Sequence, residues 1–242
     1  MKIEQALNKK PFGIVGHRGA RGVKPENTLS AIKYAIEKGV DIVEVDIRRT
    51  KDNHLILLHD EDFKRLTGRA LKPSELELSF IKENITIDGE PIATLDEALE
   101  LVNGQVSMFL EIKEPETIDD VLEAVLKHNA LHWIAIISFY DEALIIAKEL
   151  LPAVKTGLVY FKPPGRIFEA KKLNADFVLP YYKIATAKAN AVAHKLGLKV
   201  VVWTINDIDL AKEMLDRKAD VMATDYPELL VKFREELIKK EG

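Results

Sequence analysis

The chain has 242 residues, 47% apolar and 31% charged, with 35 Lys and Arg against 39 Asp and Glu for a net charge of −4. These values exclude a disordered or fibrous chain, and the mild acidity argues against a nucleic-acid partner. No cysteine is present, which removes disulfides, thiolate metal sites and cysteine nucleophiles together.

Any metal must therefore be held by carboxylate, histidine, carbonyl or water. No apolar run reaches the roughly 18–20 residues that a bilayer span requires. Met1-Lys2-Ile3-Glu4-Gln5 is too polar to lead into a signal-peptide core. At this level the chain reads as a cytoplasmic, single-domain soluble protein.

Strand-length apolar runs alternate with helical patterns from end to end. The predicted strands are 12–16, 40–47, 55–59, 106–113, 134–138, 155–161, 177–180, 199–205 and 220–224. Most are nearly continuous in Val, Ile and Leu, as strands are when helices cover one face and a core fills the other. The predicted helices are 28–38, 95–102, 118–128, 142–150, 187–196, 208–217 and 228–240. Thr94 with Asp96, Asp141 and Asp207 read as helix start signals.

Counting 40–47 and 55–59 as one unit leaves about eight strand–helix units. That is the content of a (β/α)8 TIM barrel, for which about 250 residues is typical. An open doubly wound sheet is the structural alternative. Residues 61–92 break the rhythm: the stretch is polar and holds Gly68, Pro73, Gly89 and Pro91. It is either a small insertion that caps one barrel face after the second strand unit, with a short helix near 74–82, or a long surface loop.

The unusual polar residues fall at strand C-termini, where a barrel keeps its chemistry. They are Gly16-His17-Arg18-Gly19, Glu44-Val45-Asp46, His59-Asp60 and Glu111-Ile112-Lys113. Strand periodicity puts Glu44 and Asp46 on one face, and Glu111 and Lys113 on one face. Carboxylates within buried strands are costly unless they are paired, hydrated or bound to metal. Glu44, Asp46 and Glu111 make a hard-oxygen set that suits Mg²⁺ or Ca²⁺ better than Zn²⁺. A salt-bridge network with Arg18, Arg48 and Lys113 is the alternative.

His17 and His59 end strands beside this cluster and suit general acid–base work. Arg18 and Lys113 supply positive charge for a phosphate oxygen. His54, His128, His132 and His194 read as surface or helix-end residues. Asn27 and Thr28 compete as the N-cap of the first helix, while Asn27 and Glu26 read equally well as reaching into the barrel mouth.

Together His17-Arg18-Gly19, Pro25-Glu26-Asn27-Thr28, Glu44-Val45-Asp46, His59-Asp60 and Glu111-Ile112-Lys113 resemble the glycerophosphodiester phosphodiesterase family. Ile137-Ser138-Phe139, Val202-Trp203-Thr204-Ile205-Asn206 and Thr224-Asp225-Tyr226-Pro227 resemble its later strand ends. The resemblance spans about residues 12–230 and implies a (β/α)8 barrel with a small insertion after the His-Asp pair. It implies one divalent cation, Mg²⁺ or Ca²⁺ with Mn²⁺ also compatible, held by Glu44, Asp46 and Glu111 and supported by Glu26 or Asn27. It implies His17 and His59 as the acid–base pair, with Arg18 and Lys113 on the phosphate. Trp203 is expected at the barrel mouth, packed against glycerol or the leaving alcohol, or else as core filling.

The chain departs from the family at Leu55-Ile56-Leu57-Leu58, where a proline is common, and in a short insertion with few aromatics. The latter does not favour a long acyl chain.

The implied activity is metal-assisted hydrolysis of a small glycerophosphodiester to glycerol 3-phosphate and an alcohol. A lysophospholipase D-type or cyclising enzyme is the first alternative, and a non-catalytic phosphate- or metal-binding barrel the second. Helix 228–240 carries Leu229, Leu230, Phe233 and Leu237 on one stripe. That stripe either packs inward or touches a membrane, and membrane contact is not expected.

Overall fold

The computed structural model describes residues 1–241. Eight parallel strands form the barrel: β1 (Gly13–Gly16), β2 (Ile42–Arg49), β3 (Ser107–Ile112), β4 (Ile134–Ser138), β5 (Lys155–Tyr160), β6 (Phe177–Pro180), β7 (Lys199–Val202) and β8 (Val221–Thr224). Each pairs with the next, and β1 pairs with both β2 and β8, so the sheet closes. Closure excludes the open doubly wound alternative, and the fold is a (β/α)8 TIM barrel.

Helices follow the strands: α1 (Leu29–Lys38), α2 (Leu95–Val102), α3 (Ile118–Lys127), α4 (Asp141–Leu150), α5 (Ile167–Lys172), α6 (Ala187–Lys195), α7 (Ile208–Asp216) and α8 (Pro227–Glu241).

The period of two explains which residues go where. Val43, Val45, Ile47, Leu110 and Ile112 point outward to the helix layer. Ile42, Phe109, Ala135, Val159, Phe177, Val201 and Val221 fill the barrel. Phe109 and Phe177 stack there with ring centroids 5.1 Å apart. A Cβ on Gly157 would lie 2.3 Å from the Phe177 ring, so that strand position admits no side chain.

Two helices outside residues 61–92 escape the sequence pattern. Ile3–Leu7 is only five residues long, too short to show a period, yet Ile3, Ala6 and Leu7 join the inner cluster. Ile3 N–H donates to His132 O, 3.0 Å away at the start of β4, so this helix stoppers the barrel end opposite the strand C-termini. The six-residue α5 follows Pro163-Pro164-Gly165, which reads as a break.

Thr94 and Asp207 cap α2 and α7 as expected. Asp141 does not cap α4: Tyr140 holds that position without a side-chain bond, and Asp141 pairs with Arg166 instead.

A recurrent aspartate welds odd to even strands at the closed end. Asp41, Asp176 and Asp220 each precede an even strand and each accept a backbone N–H of the preceding odd strand: Ile14 (2.9 Å), Thr156 (3.0 Å) and Val200 (2.9 Å). In each case the residue two before the aspartate is left-handed, namely Gly39, Asn174 and Lys218.

Asp41 is also buried against Arg234 of α8. Leu230 and Phe233 of α8 are buried in the main core and Leu237 packs on it, so these three residues of the stripe face the barrel. Among the described residues no helix is long and apolar enough to cross a membrane.

Asp176 gives a pH signature. Burial would raise its carboxyl, but the Thr156 N–H, Lys148 and Lys155 outweigh that and hold it below the usual range. A depressed carboxyl stabilises the fold above its unfolded value, and the contribution is lost as pH falls through the lower folded value. Asp176→Asn is therefore expected to destabilise by about 1–2 kcal/mol at pH 7. The urea-unfolding stabilities of variant and parent are expected to converge under strongly acidic conditions. A constant gap across pH would contradict this.

Strand Leu55–Leu57 runs antiparallel to the end of β2, pairing Ile47 with Leu57 and Arg49 with Leu55. It leads directly to His59. Beyond it, residues 61–92 form helices Lys64–Thr67 and Leu78–Asn84, a 3₁₀ turn at Pro73–Glu75 and a small hairpin of Thr86–Ile87 with Glu90–Pro91. The expected single helix near 74–82 is thus a 3₁₀ turn followed by an α-helix. Phe63, Ile81, Ile85, Ile87 and Ile92 bury one another with Ile56 and Leu58 in a cluster separate from the barrel core.

Candidate active site

β2 and β3 lie side by side in a register that places Asp46 opposite Glu111. Carboxylate oxygens of Glu44, Asp46 and Glu111 all lie within 4.8 Å of one another, and all three residues are buried. The turn after β1 supports them. Arg18 is left-handed (φ 49°) and its N–H donates to Glu44 Oε2 at 2.8 Å. Gly19 follows at φ 81°, and a Cβ there would lie 2.7 Å from the Ala31 backbone, so the turn packs on α1 only as glycine.

Asn27 and Thr28 divide the two jobs that the sequence left open between them. Thr28 Oγ1 accepts from Ala31 N–H and caps α1. Asn27 Nδ2 donates to Asp46 Oδ2 at 2.8 Å while Asp46 N–H donates to Asn27 Oδ1 at 3.1 Å. Glu26 stays out of the carboxylate cluster and gathers arginines: Arg18 (2.7 Å), Arg65 (2.6 Å) and Arg21 (3.4 Å).

Lys113 contacts Asp46 Oδ1 at 2.8 Å and Glu111 Oε1 more closely still. Arg18 Nε approaches Asp46 Oδ2 at 3.2 Å, an ion-pair contact without hydrogen-bond alignment. Arg48 joins neither; it binds Glu114 and the His59 carbonyl.

These cations do not neutralise the cluster evenly. Burial, then the charges of Asp46 and Glu111, push the Glu44 carboxyl well above the usual carboxylate range. Burial raises Glu111 as well, against the pull of Lys113. Burial acts on Asp46 too, but Lys113 and Arg18 overcome it and hold that carboxyl far below its usual range. Glu44 Oε1 is buried with no hydrogen-bond partner. An all-oxygen set with an orphaned carboxylate oxygen and mutual repulsion fits a hard divalent cation.

Both histidines stand on carboxylates. His17 Nδ1 lies 2.7 Å from Asp225 Oδ1, and Asn206 Nδ2 holds the other oxygen of Asp225 at 2.8 Å. His59 Nδ1 lies 2.7 Å from Asp60 Oδ1, whose second oxygen is held by Arg65. Since an ionised carboxylate only accepts, each Nδ1 carries a proton, and in the neutral ring Nε2 is the acceptor. His17 Nε2 is 4.0 Å from Glu44 Oε2. Burial, reinforced by Lys113 and Arg18, holds the His59 imidazole below its usual range against the pull of Asp46.

Both histidines, Arg18, Glu44, Glu111, Lys113 and Trp203 line one cavity of about 190 Å³ at the barrel mouth. Trp203 Nε1–H donates to Leu179 O at 2.8 Å, and its ring stands edge-on to Phe139 at 5.9 Å. Of the other histidines, His54 contacts Asp52, His128 Asp96 and His194 Asp220, all away from this cavity, and His132 is exposed.

The sequence reading missed the roles of Asp60, Asp225, Asn206 and Arg65. Asp225 carries a usable signal, an acid immediately after the end of β8. Arg65 carries none, because its place depends on how the insertion folds.

Residues 17–229 match the profile of the Glycerophosphoryl diester phosphodiesterase family. A glycerophosphodiester phosphodiesterase of Caldanaerobacter subterraneus subsp. tengcongensis is 29% identical over 245 residues, covering 95% of this chain and 98% of its own. One from Bacillus altitudinis is 30% identical over 247 residues, covering 93% and 98%.

An Oleispira antarctica phosphodiesterase, solved in complex with the product sn-glycerol-3-phosphate, superposes with a TM-score of 0.84 at 25% identity, covering 93% of this chain and 96% of that one. A Thermotoga maritima glycerophosphodiester phosphodiesterase gives a TM-score of 0.78 at 29% identity, covering 93% and 99%. The chain belongs to the glycerophosphoryl diester phosphodiesterase family, and with it to the phosphoric diester hydrolases.

Proposed function

We propose that the chain hydrolyses small glycerophosphodiesters, such as glycerophosphocholine or glycerophosphoethanolamine, to glycerol 3-phosphate and an alcohol. The observation that carries this reading is one cavity lined by two buried carboxylates of a three-carboxylate set and by two histidines, each backed by its own carboxylate.

Glu44, Asp46 and Glu111 would hold one Mg²⁺ or Ca²⁺, and a bound divalent cation supplies charge stabilisation to a phosphoryl oxygen. Asn27 orients Asp46 by its paired hydrogen bonds. Arg18 and Lys113 bring fixed positive charge to the same cavity wall, where a phosphodiester is anionic. One Nε2 takes a proton from the nucleophile and the other, protonated, returns one to the leaving oxygen; the nucleophile is water, or the neighbouring glycerol hydroxyl, whose cyclic phosphate water then opens. Asp60 and Asp225 keep the two rings in the required tautomer and steady each imidazolium as it forms. The aromatic wall of Trp203 and Phe139 suits the carbon skeleton of the glycerol or of the leaving alcohol.

The test is product release from glycerophosphocholine, glycerophosphoethanolamine and lysophosphatidylcholine under one set of conditions. Glycerol 3-phosphate from the first two, with little turnover of the third, is expected. Turnover of lysophosphatidylcholine alone would move the assignment to a lysophospholipase D-type reaction. No turnover of any of them would leave a binding barrel.

A further inference from the structure

Arg65 does not line the cavity, yet it touches both halves of the proposed machinery. It sits on the short helix Lys64–Thr67 of the insertion, between buried Phe63 and the packed side chain of Leu66. From there its guanidinium reaches Glu26 and Asp60. Each of its three nitrogens donates to a carboxylate. NH1 donates to Glu26 Oε2 at 3.0 Å and NH2 to Glu26 Oε1 at 2.6 Å. Nε donates to Asp60 Oδ2.

Each of those carboxylates then reaches a site residue. Glu26 Oε1 accepts from Arg18 NH1 at 2.7 Å, and Asp60 Oδ1 holds His59 Nδ1 at 2.7 Å. A single planar fork therefore links Arg18 to His59 through two acids.

We propose that Arg65 is a positioning residue: the insertion uses its guanidinium to fix Asp60, and through it His59, relative to Arg18. The inference deepens the functional reading above and rests on it. Direct substrate binding by Arg65 is disfavoured because it does not line the cavity and its guanidinium is engaged by two carboxylates. A purely structural role is disfavoured because Glu26 keeps Arg18 and Arg21 when Arg65 is removed, whereas the second oxygen of Asp60 loses the donor it has in the structure. The bidentate geometry demands arginine, since a lysine offers one point charge and cannot span both acids.

The experiment compares Arg65→Ala and Arg65→Lys with the parent enzyme, using Lys72→Ala as a control. Lys72 makes an exposed ion pair with Glu61 in the same insertion. Arg65→Ala is expected to lower kcat about 10–100-fold with KM within about threefold. The melting temperature is expected to stay within about 3 °C of the parent. Arg65→Lys is expected to recover little. Millimolar guanidinium chloride is expected to restore about tenfold in Arg65→Ala and to leave Lys72→Ala unchanged.

A kcat within about threefold of the parent, a loss expressed mainly in KM, or a loss that guanidinium does not relieve would each overturn the proposal. An inactive parent would instead overturn the functional reading, and the positioning role with it.

Discussion

Asp46→Asn and Glu44→Gln are each expected to lower kcat/KM by about 10³-fold or more. A bound divalent cation supplies several kcal/mol of transition-state stabilisation, and each 1.36 kcal/mol is tenfold in rate. Asp46 is the more sensitive position because it also receives Asn27, Lys113 and the ion-pair contact of Arg18.

Stability is expected to move the other way at Glu44. Its carboxylate is buried beside Asp46 and Glu111, and its Oε1 has no donor. In the metal-free protein Glu44→Gln removes that repulsion, so the melting temperature is expected to rise by roughly 2–4 °C, the shift that 1 kcal/mol produces in a domain of this size. Differential scanning calorimetry in EDTA, paired with the rate measurement, checks both signs. A Gln variant that is both inactive and less stable would argue that Glu44 serves the fold instead of a cation.

His17→Ala and His59→Ala are each expected to cost about 10²–10⁴-fold in kcat, the usual worth of a positioned acid or base. KM is expected to change little, because neither ring is assigned to ground-state binding. The double variant is expected to be scarcely worse than the poorer single one, as follows when both act in the one proposed proton-transfer sequence. Steady-state kinetics on folded variants, verified by circular dichroism, decides it. Full activity in either single variant would remove that histidine from the mechanism.

The barrel was legible because its signal is repetitive. Val43-Glu44-Val45-Asp46-Ile47 and Leu110-Glu111-Ile112-Lys113 alternate at the strand period, which fixes the inner face before any coordinates exist. What stayed hidden depends on distant pairing. Nothing local says that Asp225 meets His17 across 208 positions, or that Glu26 selects arginines over the carboxylate cluster. The helix Ile3–Leu7 is too short to carry a period, and its burial comes from closing the barrel end rather than from its own pattern. Residues 61–92 looked polar because their apolar residues are sparse in sequence, and they become a core only once Phe63, Ile81 and Ile92 converge.

The Glu44–Asp46–Glu111 set is proposed to hold a cation on which turnover depends. The most direct test is release of glycerol 3-phosphate from glycerophosphocholine, after exhaustive EDTA treatment and then with Mg²⁺, Ca²⁺ or Mn²⁺ restored singly. Near-complete loss in EDTA, recovery with at least one of these cations, and no recovery in a Glu44→Gln, Glu111→Gln double variant is the expected result. Undiminished release in EDTA would contradict the claim and return the three carboxylates to a salt-bridge network with Arg18 and Lys113.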